Sequence, residues 1–319
     1  MKKVPLISVI IPCYNYDKFL PDACESLIEQ TCHDWECILV NNGRFADTKK
    51  VVDYYIEKDS RFRFIECENS GPSAARNEGL KISNGNFIQF LDADDKLASD
   101  RFSTLIKKFE KKDQLDLVYT KTKYFSSGQS MKYFNELNDL SGLDKAGHFG
   151  DGTELYNKLM RRNIFAINSP LFRRSLLSST IIFNTKINHL EDWDFWIRLS
   201  GNIRYFEFEI NDLSSAYVRS HAASLSQFKV NMQSQYLPVL FSNMDYRKLY
   251  FKNIFLLIIL SMEFLLDALF RGNSSLTFKK LFLAAREHHI YSEIILHFLL
   301  IPLYLPLYLI LKIYRKLQK

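Results

Sequence analysis

Three carboxylates stand almost side by side in Asp92-Ala93-Asp94-Asp95, directly after an apolar run. Carboxylate oxygens are hard ligands. A tight group of them suits Mg²⁺ or Mn²⁺, ions that commonly complete their shell with substrate phosphates. A helix cap with a charged turn reads the same residues without any ligand, since Asp is favoured there. A second segment, Ser70-Gly71-Pro72-Ser73-Ala74-Ala75-Arg76-Asn77, has a small-residue turn opening a helix. Backbone N–H groups can approach an anion at such a turn while Arg76 adds positive charge, although a plain turn with a good helix start also fits. A third segment, Glu191-Asp192-Trp193-Asp194, reads as a helix N-terminus whose acids complement the dipole and whose aromatics enter a core.

The hydrophobic pattern shows what must position these groups. Short apolar runs at 7–11, 36–40, 62–66 and 86–91 alternate with helical patterns at 21–30, 49–58 and 73–82. That alternation predicts right-handed βαβ units and a mainly parallel sheet. Ligands of such sheets collect at the carboxyl ends of the strands, here 12–15, 41–43, 68–72 and 92–95. A helix is expected over 100–111, a strand over 115–120, a helix near 154–161 and an aromatic helix over 191–199. Between them, 126–152 is rich in Gly, Ser, Asn and Asp and reads as a loop shaping a substrate cleft.

The chain has 319 residues, 47% hydrophobic and 24% charged, which excludes disordered, collagen-like and polytopic membrane proteins and allows about two domains. Charge is distributed unevenly. From Arg247 onward 11 Lys or Arg face 4 Asp or Glu, a net of +7 against +6 for the whole chain, so residues 1–246 sum to −1. The same tail holds the run 294–311, 18 residues without a charged side chain, but Pro302 and Pro306 interrupt it. A bent or in-plane helix on an anionic membrane surface is the favoured reading, with a single span and a soluble helical subdomain as alternatives. Long Leu/Ile runs do not suit a nucleic-acid reader, and no nucleic-acid partner is expected. The five cysteines form no CxxC pair and are odd in number, as for reduced thiols of a cytosolic domain. Met1-Lys2-Lys3 and the apolar run after it are interrupted by Pro5 and Pro12 and lack a small-residue cleavage site. They read as a first strand and not a signal peptide.

Four motifs in order, Ser8-Val9-Ile10-Ile11-Pro12-Cys13-Tyr14-Asn15, Gly71-Pro72-Ser73-Ala74-Ala75-Arg76-Asn77, Leu91-Asp92-Ala93-Asp94-Asp95 and Glu191-Asp192-Trp193-Asp194, resemble a family 2 glycosyltransferase of the GT-A nucleotide-sugar fold. The resemblance covers residues 4 to about 226. It implies an α/β fold with a Rossmann-like, mainly parallel sheet flanked by helices. The catalytic domain would be 1–226, with a donor part over about 1–120 and an acceptor part over about 121–226, followed by a helical, basic and apolar membrane-associating region at 227–319. The implied donor-binding residues are Pro12, Tyr14, Asn15, Asn41, Gly71, Arg76, Asp92 and Ala93. Tyr14 would stack on the base, and Arg76 would sit beside the base or the diphosphate. Asp92 and Asp94 would hold a divalent metal, Mn²⁺ or Mg²⁺. His221, in Tyr217-Val218-Arg219-Ser220-His221, would be a third ligand or a structural histidine.

By the same resemblance Asp192, with Glu191 beside it, would be the catalytic base. It would take the proton of an acceptor hydroxyl as that oxygen attacks the anomeric carbon in line, inverting its configuration. Trp193, Phe195 and Trp196 would raise its pKa. The expected donor is a nucleotide-diphosphate sugar, a UDP-sugar first, although Val40-Asn41-Asn42-Gly43 lacks the acids usual for the family after the second strand. The expected acceptor is a lipid-linked glycan in capsule, O-antigen or similar synthesis at the cytoplasmic face of the membrane. A catalytically silent assembly subunit is the alternative that the Asn41-Asn42 departure motivates. A nucleotidyltransferase is disfavoured because no Gly-rich basic loop follows the first strand.

Overall fold

The computed structural model describes residues 4–13, 18–41, 46–67, 71–126, 132–134, 149–179, 181–187 and 189–220, with a few positions between 239 and 245. Tyr14, Asn15, His221 and the run 294–311 lie outside the described residues. The chain divides into two compact units, Met1–Leu159 with Asn163–Gln227, and Met160–Arg162 with Phe228–Lys319.

The strand β1 (Ile7–Cys13) is buried at every position, as a continuous β-branched run in a covered parallel sheet must be. Helix α1 (Leu20–Ile28) leads to β2 (Trp35–Asn41), α2 (Ala46–Lys58) to β3 (Phe62–Glu66), and α3 (Gly71–Ile82) to β4 (Phe87–Phe90). Strand β2 pairs in parallel with both β1 and β3, and β1 in parallel with β4. These are the βαβ units that the pattern predicts. The close approach of α3 to the sheet depends on Gly79, where a Cβ would stand 2.5 Å from Ile10 Cγ2 and 3.2 Å from Val40 Cγ2.

The chain continues through β5 (Lys96–Leu97), α4 (Arg101–Lys111), β6 (Leu115–Thr120), β7 (Thr122–Ser126), β8 (Lys132–Phe134), β9 (Phe149–Gly150), α5 (Gly152–Leu159), β10 (Leu171–Arg173), α6 (Glu191–Ser200), β11 (Tyr205–Glu209) and β12 (Ala216–Ser220). An eight-stranded sheet runs β3-β2-β1-β4-β10-β6-β11-β9, and a four-stranded sheet runs β5-β12-β7-β8. The 126–152 stretch, expected as a loop or an excursion, contains the short strands β8 and β9 among its described residues. β7 pairs with β12 and β9 with β11, both far along the chain, and local composition carries no mark of either.

A buried arginine ties β4 and β6 of the large sheet to the turn that precedes β12. The Arg101 guanidinium donates to Gln89 Oε1 at 3.0 Å, Thr120 Oγ1 at 2.7 Å, Ser214 O at 2.6 Å and Ser169 O at 2.5 Å. These are neutral oxygens. Burial pulls its pKa down to about 9, so it remains charged at neutral pH. Four good hydrogen bonds offset the cost of desolvating it. Among the described residues no helix is long and apolar enough to cross a membrane.

Candidate active site

Asp92 to Asp95 follow β4 at the carboxyl edge of the large sheet and turn sharply, with the Asp95 amide donating to Asp92 O at 3.1 Å. One oxygen from each of Asp92, Asp94 and Asp95 lies within 4.8 Å of the others. Asp95 is buried, and its carboxylate is held from both sides, by the Arg219 amide at 2.8 Å and by Asn168 Nδ2 at 3.0 Å. The pairing of β12 with β5 explains the first bond: Tyr217 sits opposite Lys96, so Arg219 overhangs the aspartate turn. The Arg219 side chain continues the clamp, donating from Nε to Asp94 O at 2.8 Å and pairing with Asp22 of α1. Burial, and then the neighbouring charges of Asp94 and Asp92, push the Asp95 carboxyl well above its ordinary value. The Asn168 Oδ1 is buried and finds no donor among the described residues. Three convergent hard oxygens, with excess negative charge already evident at Asp95, fit a divalent cation.

The second feature comes from α3. Gly71 opens the helix at φ +80°, a left-handed conformation that a side chain strains. One turn on, the buried Arg76 reaches Asp92 Oδ1 at 2.8 Å with one terminal nitrogen and Glu191 Oε1 at 3.0 Å with the other. Burial alone would lower its pKa, but the two carboxylates together raise it. Its guanidinium lies 5.2 Å from the centre of the Phe183 ring. Arg76, expected beside a nucleotide, thus has its two terminal nitrogens on carboxylates of the chain, bridging the aspartate turn to the start of α6.

Helix α6 places the third feature. It is entered through Leu190 at φ +65°, a left-handed conformation costly for a branched residue and associated with functional sites. Its aromatic side packs into a buried cluster, with Phe183 stacked on Phe195 at 4.3 Å and Phe90 edge-on to Phe195 at 5.8 Å. Trp193 Nε1 donates to Leu159 O at 2.9 Å. The loop bearing Phe183 is tied to α3 by Asn77, which both donates to Phe183 O and accepts from its amide. This packing leaves Asp192 on the other side of the first turn. Asp192 Oδ1 accepts from the Trp193 amide at 2.7 Å and Oδ2 from Asn163 Nδ2 at 3.0 Å. Burial, and then the charge of Glu191, raise its pKa to about 7, against the opposing pull of Arg76. The arrangement places a carboxylate of near-neutral proton affinity next to Glu191, which Arg76 bridges to the aspartate turn.

Among the other expected residues, Pro12 and Ala93 are buried in or beside the strand ends, and Asn41 closes β2, its carbonyl accepting from the Cys67 amide at 2.9 Å. Cys13, Cys24 and Cys37 are buried free thiols, while Cys32 and Cys67 are partly exposed.

The profile of Glycosyl transferase family 2 matches residues 8–173, more than half of the chain. The chain belongs to glycosyl transferase family 2. This family 2 chain is 40% identical over 115 residues to the uncharacterized glycosyltransferase EpsJ of Bacillus subtilis, covering 36% of the chain but only 33% of that relative's length. Its fold matches S. aureus TarS in complex with UDP-GlcNAc at a TM-score of 0.61 and 18% identity, over 75% of this chain and 66% of that one. It also matches the mannosyltransferase PcManGT of Pyrobaculum calidifontis in complex with GDP-Man and Mn²⁺ at 0.56 and 16% identity, over 76% and 64%.

The pattern of motifs in the family 2 chain does not reveal Asn163, Asn168 or Asp22. Each is a lone polar residue, and only the fold brings it to an acid. The role of Arg219 was equally hidden, although its motif was visible.

Proposed function

We propose that the chain is an inverting glycosyltransferase. It would pass a sugar from a nucleotide-diphosphate donor, a UDP-sugar first, to a hydroxyl of a glycan acceptor, with Asp192 as the base. The observation that carries this reading is the continuous link Asp192, Glu191, Arg76, Asp92. It couples a carboxylate tuned to about 7 to the turn where a donor diphosphate would lie. TarS and PcManGT, with the same fold, are known in complex with UDP-GlcNAc and with GDP-Man and Mn²⁺.

Asp92 and Asp94 would hold the divalent cation, with Asp95, Asn168 and Arg219 fixing the shape of the turn; when bound, the ion offsets charge developing on the leaving diphosphate. Asn41 and Gly71 would border the donor side, the family resemblance would have Tyr14 stack on the base, and the carbonyl of the Asn41 amide can accept from a uracil imide. Asp192 receives the acceptor's proton as its oxygen attacks the anomeric carbon. Glu191, beside Asp192, is paired with Arg76 at 3.0 Å. The basic, apolar tail from 247 onward would hold the enzyme on the cytoplasmic face of an anionic membrane, concentrating it beside a lipid-linked acceptor in surface-polysaccharide synthesis.

Calorimetric titration of the full chain with UDP, GDP and dTDP, each with and without Mn²⁺, tests the donor site. Mn²⁺-dependent binding of UDP, abolished in Asp94→Ala, is expected. With UDP-GlcNAc as probe, slow hydrolysis should fall about 10²- to 10⁴-fold in Asp192→Asn. Binding of none of the three diphosphates would overturn the donor site and favour an assembly subunit.

A further inference from the structure

The Asp192 carboxylate is held at each oxygen by a different part of the chain. Oδ1 accepts from the Trp193 amide of its own helix, whereas Oδ2 accepts from Asn163, 29 positions earlier, in the irregular segment between α5 and β10. The Asn163 amide is itself oriented from its other end, because Oδ1 accepts from the Phe165 amide at 3.2 Å. Phe165 is anchored in turn, its ring edge-on to Tyr119 at 4.8 Å and to Trp196 at 5.5 Å. With Oδ1 committed to Phe165, the NH₂ group must face Asp192. Asn163 is therefore a preset donor, and a carbonyl-type oxygen that accepts one hydrogen bond keeps a second lone pair.

We propose that Asn163 is a positioning residue for the base: it fixes the rotamer of Asp192 through Oδ2 and leaves the second lone pair of that oxygen directed at an acceptor hydroxyl. The inference rests on the reading of Asp192 as the base. Two further charged groups face this carboxylate, Glu191 from its own helix and Arg76 from α3, the latter also paired with Asp92. Glu191 favours the protonated form of Asp192 and Arg76 the ionised form. Asn163 acts with Arg76, since a hydrogen bond donated to a carboxylate stabilises its charge. Removing the donor should therefore raise the pH at which Asp192 ionises, while leaving the aspartate turn and the donor site alone.

Two variants separate positioning from loop packing. Asn163→Ala removes the donor and the contact to Phe165. Asn163→Asp keeps an oxygen for the Phe165 amide but turns a second carboxylate toward the first. Carboxyl-¹³C NMR titration of the full chain, with Asp192→Asn for assignment, reads the ionisation directly and needs no turnover. Asp192 should titrate near 7 in the wild type, about one pH unit higher in Asn163→Ala, and higher again in Asn163→Asp. In Mn²⁺-dependent hydrolysis of UDP-GlcNAc, kcat of Asn163→Ala should fall about fivefold at pH 7 and recover toward pH 9, with KM within about twofold of wild type. An unmoved Asp192 titration in both variants overturns the proposal, as does a loss of kcat that is equal at every pH. Wild-type inactivity toward UDP-GlcNAc together with shifted titrations supports the positioning contact and overturns the transfer reading instead.

Discussion

At Asp192, burial and helix position oppose each other. The N-terminal turn of α6 favours negative charge by a few tenths to about 1 kcal/mol, yet desolvation and the adjacent Glu191 prevail and raise the pKa to about 7. A base works in its ionised form. Donor turnover should therefore drop about tenfold for each pH unit below 7 and level off above it, a profile measurable by UDP release between pH 5 and 9. The same shift has a stability sign. A carboxyl whose pKa rises on folding binds its proton more tightly in the fold, so its contribution is present at low pH and is lost as pH climbs through 7. Glu36 has the opposite sign. Burial would raise its pKa, but hydrogen bonds from Ser8, the Asn84 amide and Arg63 together hold it below the ordinary value, so its contribution is lost on acidification. The candidate acids at Asp92, Asp94 and Asp192 were legible as residues. The raised proton affinity of Asp192 was legible too, from the aromatic residues beside it, but the hydrogen bond from Asn163 and the opposing charge of Arg76 were not, because both come from distant parts of the packed chain.

Among the elements, α3 and α6 do most to build the site, and each is placed by packing at a single point. On α3 that point is Gly79, wedged against Ile10 and Val40. An alanine there would gain up to about 1 kcal/mol of helix propensity, but its methyl group would meet a β-branched side chain that has little room to turn, at a cost of about 1–3 kcal/mol. Gly79→Ala should thus lose about 1 kcal/mol in urea denaturation. It should also weaken Mn²⁺-dependent UDP binding, because α3 carries Arg76. On α6 the stack of Phe183 on Phe195 and the Arg198 hydrogen bond to Ile182 O at 2.6 Å set the rotation of the helix about its axis. The expected elements of the first hundred residues coincide with the observed ones to within a few positions. Their parallel pairing follows from alternation, which the hydrophobic period reveals. Strands β5, β8, β9 and β10 are two or three residues long, and a stretch that short has no period to detect.

For the whole molecule, the asymmetry of charge is the feature with the clearest functional consequence. With +7 in the last 73 residues and −1 elsewhere, the full chain should float with anionic phospholipid vesicles at low salt, bind neutral vesicles weakly, and lose part of its anionic binding at high salt. Equal flotation with neutral vesicles would assign attachment to the apolar run alone, and none at all would remove the membrane from the proposal. The sequence by itself determined the family, the order of the first strands and helices, the aspartate turn and the pair Glu191-Asp192, because each is written in contiguous residues. The tertiary structure alone decided that Arg76 bridges Asp92 to Glu191 over 115 positions, that Arg219 clamps the aspartate turn from 124 positions away, and that Asn163 meets Asp192. Such contacts depend on which strand lies beside which and how deeply each acid is buried. Those are properties of the packed sheets, and no short stretch of chain records them.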